Sequence, residues 1–511
     1  MEKFGYRLIG PTSTEPGISE TGNFVDLLWI DDYFAEDEEM MCFQLTPDSS
    51  SIESRPEQPV DESLEIPTIE VSEYRLRNPE DLETEHDLTP SEREALFSAV
   101  QQLPATKDGS LGRTSLIEHP IELLPGSKPK RFPSYRWSPT VEEVIDAEVQ
   151  RMKRLGVIEE CPGPIDFLNP LLPIKKSNGK WRICLDSRRL NQSTKKDDYP
   201  FPNMMGILQR IQRSKYFSCI DLSESYYQVP LAKDAKDKTA FRTNKGLFRF
   251  TVMPFGLTNA PATMARLMAR VIGHDLEPWV YVYLDDTIII SNSLEEHLRL
   301  IRIVAERLTQ AGLTINLAKS KFCQTKIKYL GYVLSEQGLS MDASKIQPIL
   351  DYPTPKCVKD IRRLLGLGGF YQKFIAKYSE IVTPISNLLK KDRRKFSWTE
   401  EANIALEKLK SALVSGPVLA NPDFSLPFVI ETDSSDLAIG AVLVQMHGGV
   451  RKTIAYFSKK LSSTQRRYSA TERECLAVLL SIEHFKHFVE GTPFIVQTDA
   501  MSLTFLQSMS I

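Results

Sequence analysis

Residues 280–291 read VYVYLDDTIIIS, an apolar run broken at its centre by two adjacent carboxylates, Asp285 and Asp286. Val, Tyr and Ile favour extended backbone, and Leu284 to Thr287 is short and polar enough to turn. The stretch therefore predicts a β-hairpin with Asp285 and Asp286 at its tip. By itself such a tip is an ordinary turn, because Asp is common there. Earlier in the chain, however, YFSCIDL at 216–222 is a second apolar strand that ends on a lone carboxylate, Asp221. A buried carboxylate is costly unless it is paired or metal-bound, so three of them brought together predict a divalent-cation site.

Oxygen ligands suit Mg²⁺, which takes octahedral geometry and shares its ligands with substrate phosphates. Two such ions about 3.5–4 Å apart can activate a 3′-hydroxyl and stabilise leaving pyrophosphate, which is nucleotidyl-transfer chemistry. At this point the residues resemble a known family. Tyr283-Leu284-Asp285-Asp286, with Asp221 on an earlier strand, is similar to the palm of a reverse transcriptase. The flanking segments narrow the resemblance to the Pol protein of gypsy-type long-terminal-repeat retrotransposons, over residues 108–511. It implies a multidomain α+β chain: a right-hand polymerase with fingers, ferredoxin-like palm and helical thumb, then a partial ribonuclease H-like α/β domain. The expected divisions are fingers and palm 108–340, thumb 341–395, connection 396–427 and ribonuclease H-like part 428–511.

Charge is distributed unevenly over the 511 residues. The formal net charge is −4, yet residues 1–100 carry 25 acidic and 6 basic side chains, leaving 57 basic against 42 acidic in the remainder. A basic body suits a polyanion such as nucleic acid, although a merely soluble basic surface would look the same. Residues 1–107 are rich in Glu, Asp, Ser and Pro and are expected to be largely disordered. Their apolar island FVDLLWI at 24–30 reads as a docking peptide or the tail of an upstream domain. The seven cysteines form no Cys-x-x-Cys pair, which argues against zinc and disulfide frameworks. No signal-peptide core and no membrane-length apolar run is present. The expected location is cytoplasmic, including virus-like particles, and not secreted.

Taken in order, Ser138 and Pro139 predict the start of a helix whose apolar positions Val141, Val144, Ile145, Val149, Met152 and Leu155 recur at helical spacing up to Gly156. FLNPLLPIKKSNGKWRICLDSRRLN, 167–191, predicts two strands about a Ser-Asn-Gly turn. In the resemblance Lys176 and Arg182 on this hairpin contact the triphosphate of the incoming nucleotide, for which a point charge and a planar fork are both suited. Asp186 and Arg188 pair with each other or brace the site. After Asp221, Tyr226 matches the family's steric gate, a ring that rejects a ribose 2′-hydroxyl, with Tyr227 as its rival. Within VMPFGLTNAP, Phe255 and Gly256 match the nucleotide and template pocket, where a ring can stack and a glycine lets backbone approach. Ser293 to Glu296 reads as a capping box. In KIKYLGYVLSEQGL, Leu330, Gly331 and Tyr332 match the primer grip. Residues 342–390 are expected to be mostly helical, with basic side chains that track a duplex backbone. KKDRRK at 390–395 reads as a solvated linker.

Further on, Asp433, Glu474 and Asp499 match the first three members of a four-carboxylate ribonuclease H metal site. Ala500 and Met501 stand where the family has a His-Lys-like pair, and the chain ends soon after Asp499. An incomplete nuclease, inactive or weak by itself, is therefore the expectation. His484 and His487 share a helical face with no partner cluster and read as surface or core residues.

These readings combine into an RNA- and DNA-directed DNA polymerase. Its ligands would be two Mg²⁺ ions, with Mn²⁺ as substitute, held by Asp221, Asp285 and Asp286. Its expected partners are an RNA template, a DNA primer–template, an RNA–DNA hybrid and dNTPs, with no membrane, and with polyprotein or dimer partners. The competing class is a decayed or repurposed relative that binds nucleic acid without catalysis.

Overall fold

The computed structural model describes residues 76–106, 110–129, 131–175, 181–211, 213–389 and 396–498. The apolar island at 24–30, Lys176, the turn of the 167–191 hairpin, the 390–395 run and Asp499 lie outside the described residues.

The predicted acidic hairpin is present as strands Val280–Tyr283 and Asp286–Ser291, and it forms the edge of a four-stranded antiparallel sheet. Strand Tyr216–Asp221 lies next to its return arm, and Lys321–Gln324 completes the sheet. Both faces of this sheet are covered. Ile289 and Ile220 pack into one apolar cluster with Met264 and Leu267 of helix Ala260–Val271 and Ile301 and Val304 of helix Leu294–Gln310. Ile288, Ile290 and Phe217 pack into a second cluster with Tyr329, Tyr332 and Leu334. Alternate side chains of a strand point to opposite faces, so the unbroken run Ile288-Ile289-Ile290 feeds two cores at once. All three are fully buried, each contributing about 1.5–3 kcal/mol.

Around this sheet lie the hairpin Leu171–Lys175 and Trp181–Leu185 and a three-stranded sheet of Ile158–Glu160, Gly246–Phe250 and Phe241–Thr243. The helix expected after Ser138 spans Pro139–Arg154 and buries Ile145, Val149 and Met152. Ser138 occupies the N-cap position but its hydroxyl makes no cap bond. The capping box at 293–296 is half made: Ser293 accepts from the Glu296 N–H, while the Glu296 carboxylate is taken by the fork of Arg299 at 2.7 and 2.9 Å.

The expectation of disorder through residue 107 fails locally. Helix Pro90–Gln101 is closed by a capping box between Thr89 and Glu92 and buries Leu96, Phe97, Ala99 and Val100 against the main core. Its apolar face, spaced at helical intervals, outweighs the acidic composition around it.

Beyond the sheet comes a three-stranded meander, Lys326–Tyr329, Tyr332–Ser335 and Gly338–Met341, followed by helices Ala343–Leu350, Val358–Phe370, Tyr378–Asn387 and Glu400–Val414. The last part is a sheet in the order Val450–Lys460, Ala438–His447, Phe428–Ser434, Phe494–Thr498. Its last strand runs parallel to Phe428–Ser434, and such a pairing needs a crossover, which helix Ala470–His484 provides. This sheet docks on helix Tyr378–Asn387. Lys460 donates to Ser386 Oγ at 2.7 Å and to Asn387 Oδ1 at 2.9 Å, and the Ser379 N–H donates to Ser458 Oγ at 3.0 Å. Among the described residues no helix is long and apolar enough to cross a membrane.

Candidate active site

Pairing register brings the acidic residues together. Asp221 and Asp286 are direct cross-strand partners, and Asp286 also faces Tyr283 within its own hairpin. The hairpin loop is thus Leu284 and Asp285, with Asp286 opening the return strand rather than sitting at the tip. Leu284 has φ +56°, a left-handed conformation that costs a non-glycine residue about 1–3 kcal/mol and is often found at functional sites. The main chain of Asp221 is fixed on both sides: its N–H donates to Ser320 Oγ at 3.1 Å and its carbonyl accepts from the Asn316 N–H at 2.8 Å.

Each carboxylate meets a different neighbour. The Lys319 ammonium stands 3.1 Å from Asp221 Oδ2, and the Ser225 hydroxyl donates to Asp285 Oδ2 at 2.8 Å. Their negative charge is felt below them. Burial first, and then the fields of Asp286, Asp221 and Asp285, push the Cys219 thiol far above its usual range. Among the described residues no three acidic, His or Cys side chains are gathered closely enough to hold a metal ion by themselves. The three carboxylates are thus neighbours in register without forming a closed cage, and Lys319 and Ser225 each engage one of them. An open, all-oxygen set of this kind still fits Mg²⁺, which keeps waters and takes substrate phosphates into its shell rather than needing a closed protein cage.

A cleft of about 3090 Å³ opens beside these residues, and Asp221, Asp285, Arg182, Tyr226, Phe255 and Gly256 all line it. Phe255 is the hub of an aromatic group. Its ring lies 5.1 Å from that of Tyr226 and 5.3 Å from that of Tyr227, and the Arg182 guanidinium sits 4.9 Å from its centroid. Tyr227 is the more deeply inserted tyrosine: it packs on Phe250, its hydroxyl faces Met152 Sδ at 3.8 Å, and burial raises its pKa strongly. The two tyrosines sit in a tight turn, Ser225–Gln228, entered through Glu224 at φ +42°. Arg151 fixes Glu224 at 2.8 Å and is itself forked by Glu148.

Two further residues shape this wall without having been singled out from sequence. Asn191 donates to the Gly256 carbonyl at 2.8 Å and accepts from the Thr258 N–H at 3.0 Å, bracketing the turn that carries Phe255. Gly256 has φ +99°, and a Cβ there would lie 2.6 Å from the Leu185 carbonyl oxygen. Tyr135 donates to the buried Asp186 at 2.8 Å. Asp186 and Arg188 do pair, through two bonds of 2.9 and 2.8 Å. Burial would raise the Asp186 pKa, but these bonds bring it below the usual carboxylate range.

In the meander beside the cleft the turn Leu330-Gly331 has φ +50° and +81°, the pattern of a two-residue hairpin loop matched to strand twist. Tyr332 lines the cleft, stacked 5.0 Å from Phe370 with the Lys373 ammonium 4.1 Å above its ring, whereas Leu330, Gly331 and Asp286 are not on the cleft surface. Gln209, from helix Met204–Arg210, and His487, from helix Lys486–Val489, meet at 2.7 Å and join two of the cleft's walls. His484 stacks on Phe457 at 4.2 Å.

Asp433 and Glu474 lie away from this cleft, on the C-terminal sheet and its helix. The Lys377 ammonium is 2.8 Å from Asp433 Oδ2. Glu474 accepts from the Ser434 hydroxyl through one oxygen, and its Oε2 is buried without a hydrogen-bond partner among the described residues. A buried carboxylate oxygen with nothing to satisfy it is what a cation ligand looks like before the cation arrives.

Residues 174–334 match the family model of the reverse transcriptase (RNA-dependent DNA polymerase), and residues 398–496 match that of the RNase H-like domain found in reverse transcriptase. The chain is 34% identical over 451 residues to the retrovirus-related Pol polyprotein from transposon 297 of Drosophila melanogaster, covering 87% of this chain and 41% of that protein. It is 35% identical over 392 residues to the transposon Tf2-3 polyprotein of Schizosaccharomyces pombe, covering 76% of this chain and 29% of that protein. The chain thus spans less than half the length of these relatives. Among solved structures it is similar to the foamy viral protease-reverse transcriptase dRH in complex with double-stranded DNA, with a TM-score of 0.76 and 24% identity over 83% of this chain and 75% of that one. A second structure of the foamy viral protein with double-stranded DNA gives a TM-score of 0.75 and 24% identity over 84% of this chain and 89% of that one. These likenesses show a common fold.

Proposed function

We propose that this chain, which carries a reverse transcriptase domain followed by an RNase H-like domain and is related to retrotransposon Pol polyproteins, is an RNA- and DNA-directed DNA polymerase. The observation that carries the reading is the cross-strand pairing of Asp221 with Asp286, which sets Asp221 beside Asp285 on a cleft that Arg182 and Tyr226 also line.

Asp221, Asp285 and Asp286 would hold two Mg²⁺ ions. When bound, these would supply Lewis-acid activation of the primer 3′-hydroxyl and charge neutralisation on the triphosphate. The remaining work belongs to the side chains. Arg182 offers its planar fork to phosphate oxygens, and Lys176 is assigned the same duty from sequence. Phe255 and Gly256 present a flat ring and bare backbone to base and template. Tyr226 closes the sugar side and excludes a 2′-hydroxyl. Leu330, Gly331 and Tyr332 form the hairpin that positions the primer end. Rate would come from this positioning and from fixed charge rather than from covalent chemistry. The partners that follow are an RNA template, a DNA primer and dNTPs. Support comes from the foamy viral fold neighbours, which were solved with double-stranded DNA and with an RNA/DNA hybrid. Asp433 and Glu474 would serve hybrid cleavage, together with Asp499.

Primer extension on an RNA template in Mg²⁺ tests the reading. Asp285→Asn is expected to lose at least about 10²-fold in incorporation. Equal incorporation by wild type and variant overturns it.

A further inference from the structure

We propose that Ser225 is a positioning residue that ties the Asp285 carboxylate to the turn carrying the Tyr226 ring, so that cation binding and sugar selection are set by one hydroxyl. The proposal rests on the polymerase reading above and goes beyond it.

Ser225 is buried, with 3% of its surface exposed, and its Oγ lies 2.8 Å from Asp285 Oδ2. Since an ionised carboxylate can only accept, the serine must donate. Such a bond to a charged group is about twice as strong as a neutral one. It fixes the rotation of a carboxylate on the half-buried two-residue loop Leu284-Asp285 and commits one of its two oxygens.

The serine is itself held in place. Glu224 before it is anchored by Arg151, and Tyr226 after it packs on Phe255. Gln228, which ends the turn, donates to the carbonyls of Ser223 and Thr314 at 2.6 and 2.8 Å and accepts from the Thr314 N–H at 2.7 Å. A turn pinned at this many points does not drift, so the hydroxyl transmits the turn's position to Asp285, and the load on Asp285 back to the ring beside it.

The test compares wild type, Ser225→Ala and Ser225→Thr. Mn²⁺ binding is followed by electron paramagnetic resonance on complexes with a dideoxy-terminated primer–template and incoming dNTP. The preference for dNTP over rNTP is measured by single-nucleotide incorporation. Ser225→Ala is expected to weaken Mn²⁺ binding about tenfold and to lower the sugar preference about tenfold, with Ser225→Thr restoring both. Unchanged Mn²⁺ affinity in Ser225→Ala overturns the proposal. So does a loss of Mn²⁺ affinity with sugar preference intact, since the coupling is the claim. If Ser225→Ala does not fold, Ser225→Cys, which keeps the shape with a weaker donor, takes its place. The polymerase reading is judged separately by Asp285→Asn, so its failure is not confused with failure here.

Discussion

The ammonium of Lys377 lies 2.8 Å from a carboxylate oxygen of Asp433, joining the start of helix Tyr378–Asn387 to strand Phe428–Ser434 of the C-terminal sheet. Both side chains are more than half exposed, so the pair contributes little to stability, under about 1 kcal/mol. Its effect is local: Asp433 holds the ammonium above its usual pKa, and with the metal role proposed for Asp433 the ammonium would compete with a divalent cation there. Lys377→Ala should therefore leave the melting temperature nearly unchanged while raising Mg²⁺-dependent cleavage of an RNA–DNA hybrid. A hybrid-cleavage assay run beside a thermal melt reads both.

Gly256 is a position where even one methyl group has no room. Its φ of +99° is unsuited to a side chain, and a Cβ would meet the Leu185 carbonyl at 2.6 Å. Gly256→Ala should push this turn off Asn191 and carry Phe255 with it, at a cost of about 1–3 kcal/mol. The expected readout is a higher KM for dNTP, with a lower melting temperature. An unchanged KM would mean that the turn does not shape the nucleotide pocket.

Tyr226 and Tyr227 separate by surroundings. With the gate role proposed above, Tyr226→Ala should lower the preference for dNTP over rNTP by about tenfold or more, because the ring that would clash with a 2′-hydroxyl is removed. Tyr227→Ala should instead destabilise the fold by about 3–5 kcal/mol, as a buried aromatic truncation does. Single-nucleotide incorporation and thermal unfolding, measured on both variants, distinguish the two tyrosines.

His297 and His119 predict acid sensitivity. His297 is fully buried between the hydroxyls of Ser218 and Ser291 at 2.7 and 3.0 Å, and burial lowers its pKa to about 3. His119 bonds Thr263 at 2.8 Å, and burial lowers its pKa to about 4. In the unfolded chain both take up a proton near pH 6.5, while the folded chain keeps them neutral. Stability therefore falls as pH drops below about 6.5, by about 1.5 kcal/mol per imidazole on reaching pH 5. Thermal melts from pH 7.5 to 5 should show this decline, and His297→Gln should flatten it.

The central sheet was legible because strand signals and acidic punctuation coincide in VYVYLDDTIIIS and YFSCIDL, and the pairing of Asp221 with Asp286 follows from their places at the strand ends. The docked helix Pro90–Gln101 was also written in the sequence. Thr89-Pro90-Ser91-Glu92 is a capping-box pattern before an apolar face, but averaged acidity over the first hundred residues hid it. Lys377 facing Asp433 and Asn191 bracketing Gly256 were not legible. Each joins residues far apart in the chain, and no periodicity or spacing encodes which distant side chain arrives. Ser225 carried a weak signal, a hydroxyl directly before Tyr226. Its partner was fixed only once the hairpin was folded against that turn.

The bond between Gln209 and His487 joins helix Met204–Arg210 to helix Lys486–Val489 across 278 residues of chain. Because it is one contact at the cleft surface, while Leu208 and Phe488 beside it are buried in separate apolar clusters, losing it would leave both cores whole and loosen only the register between them.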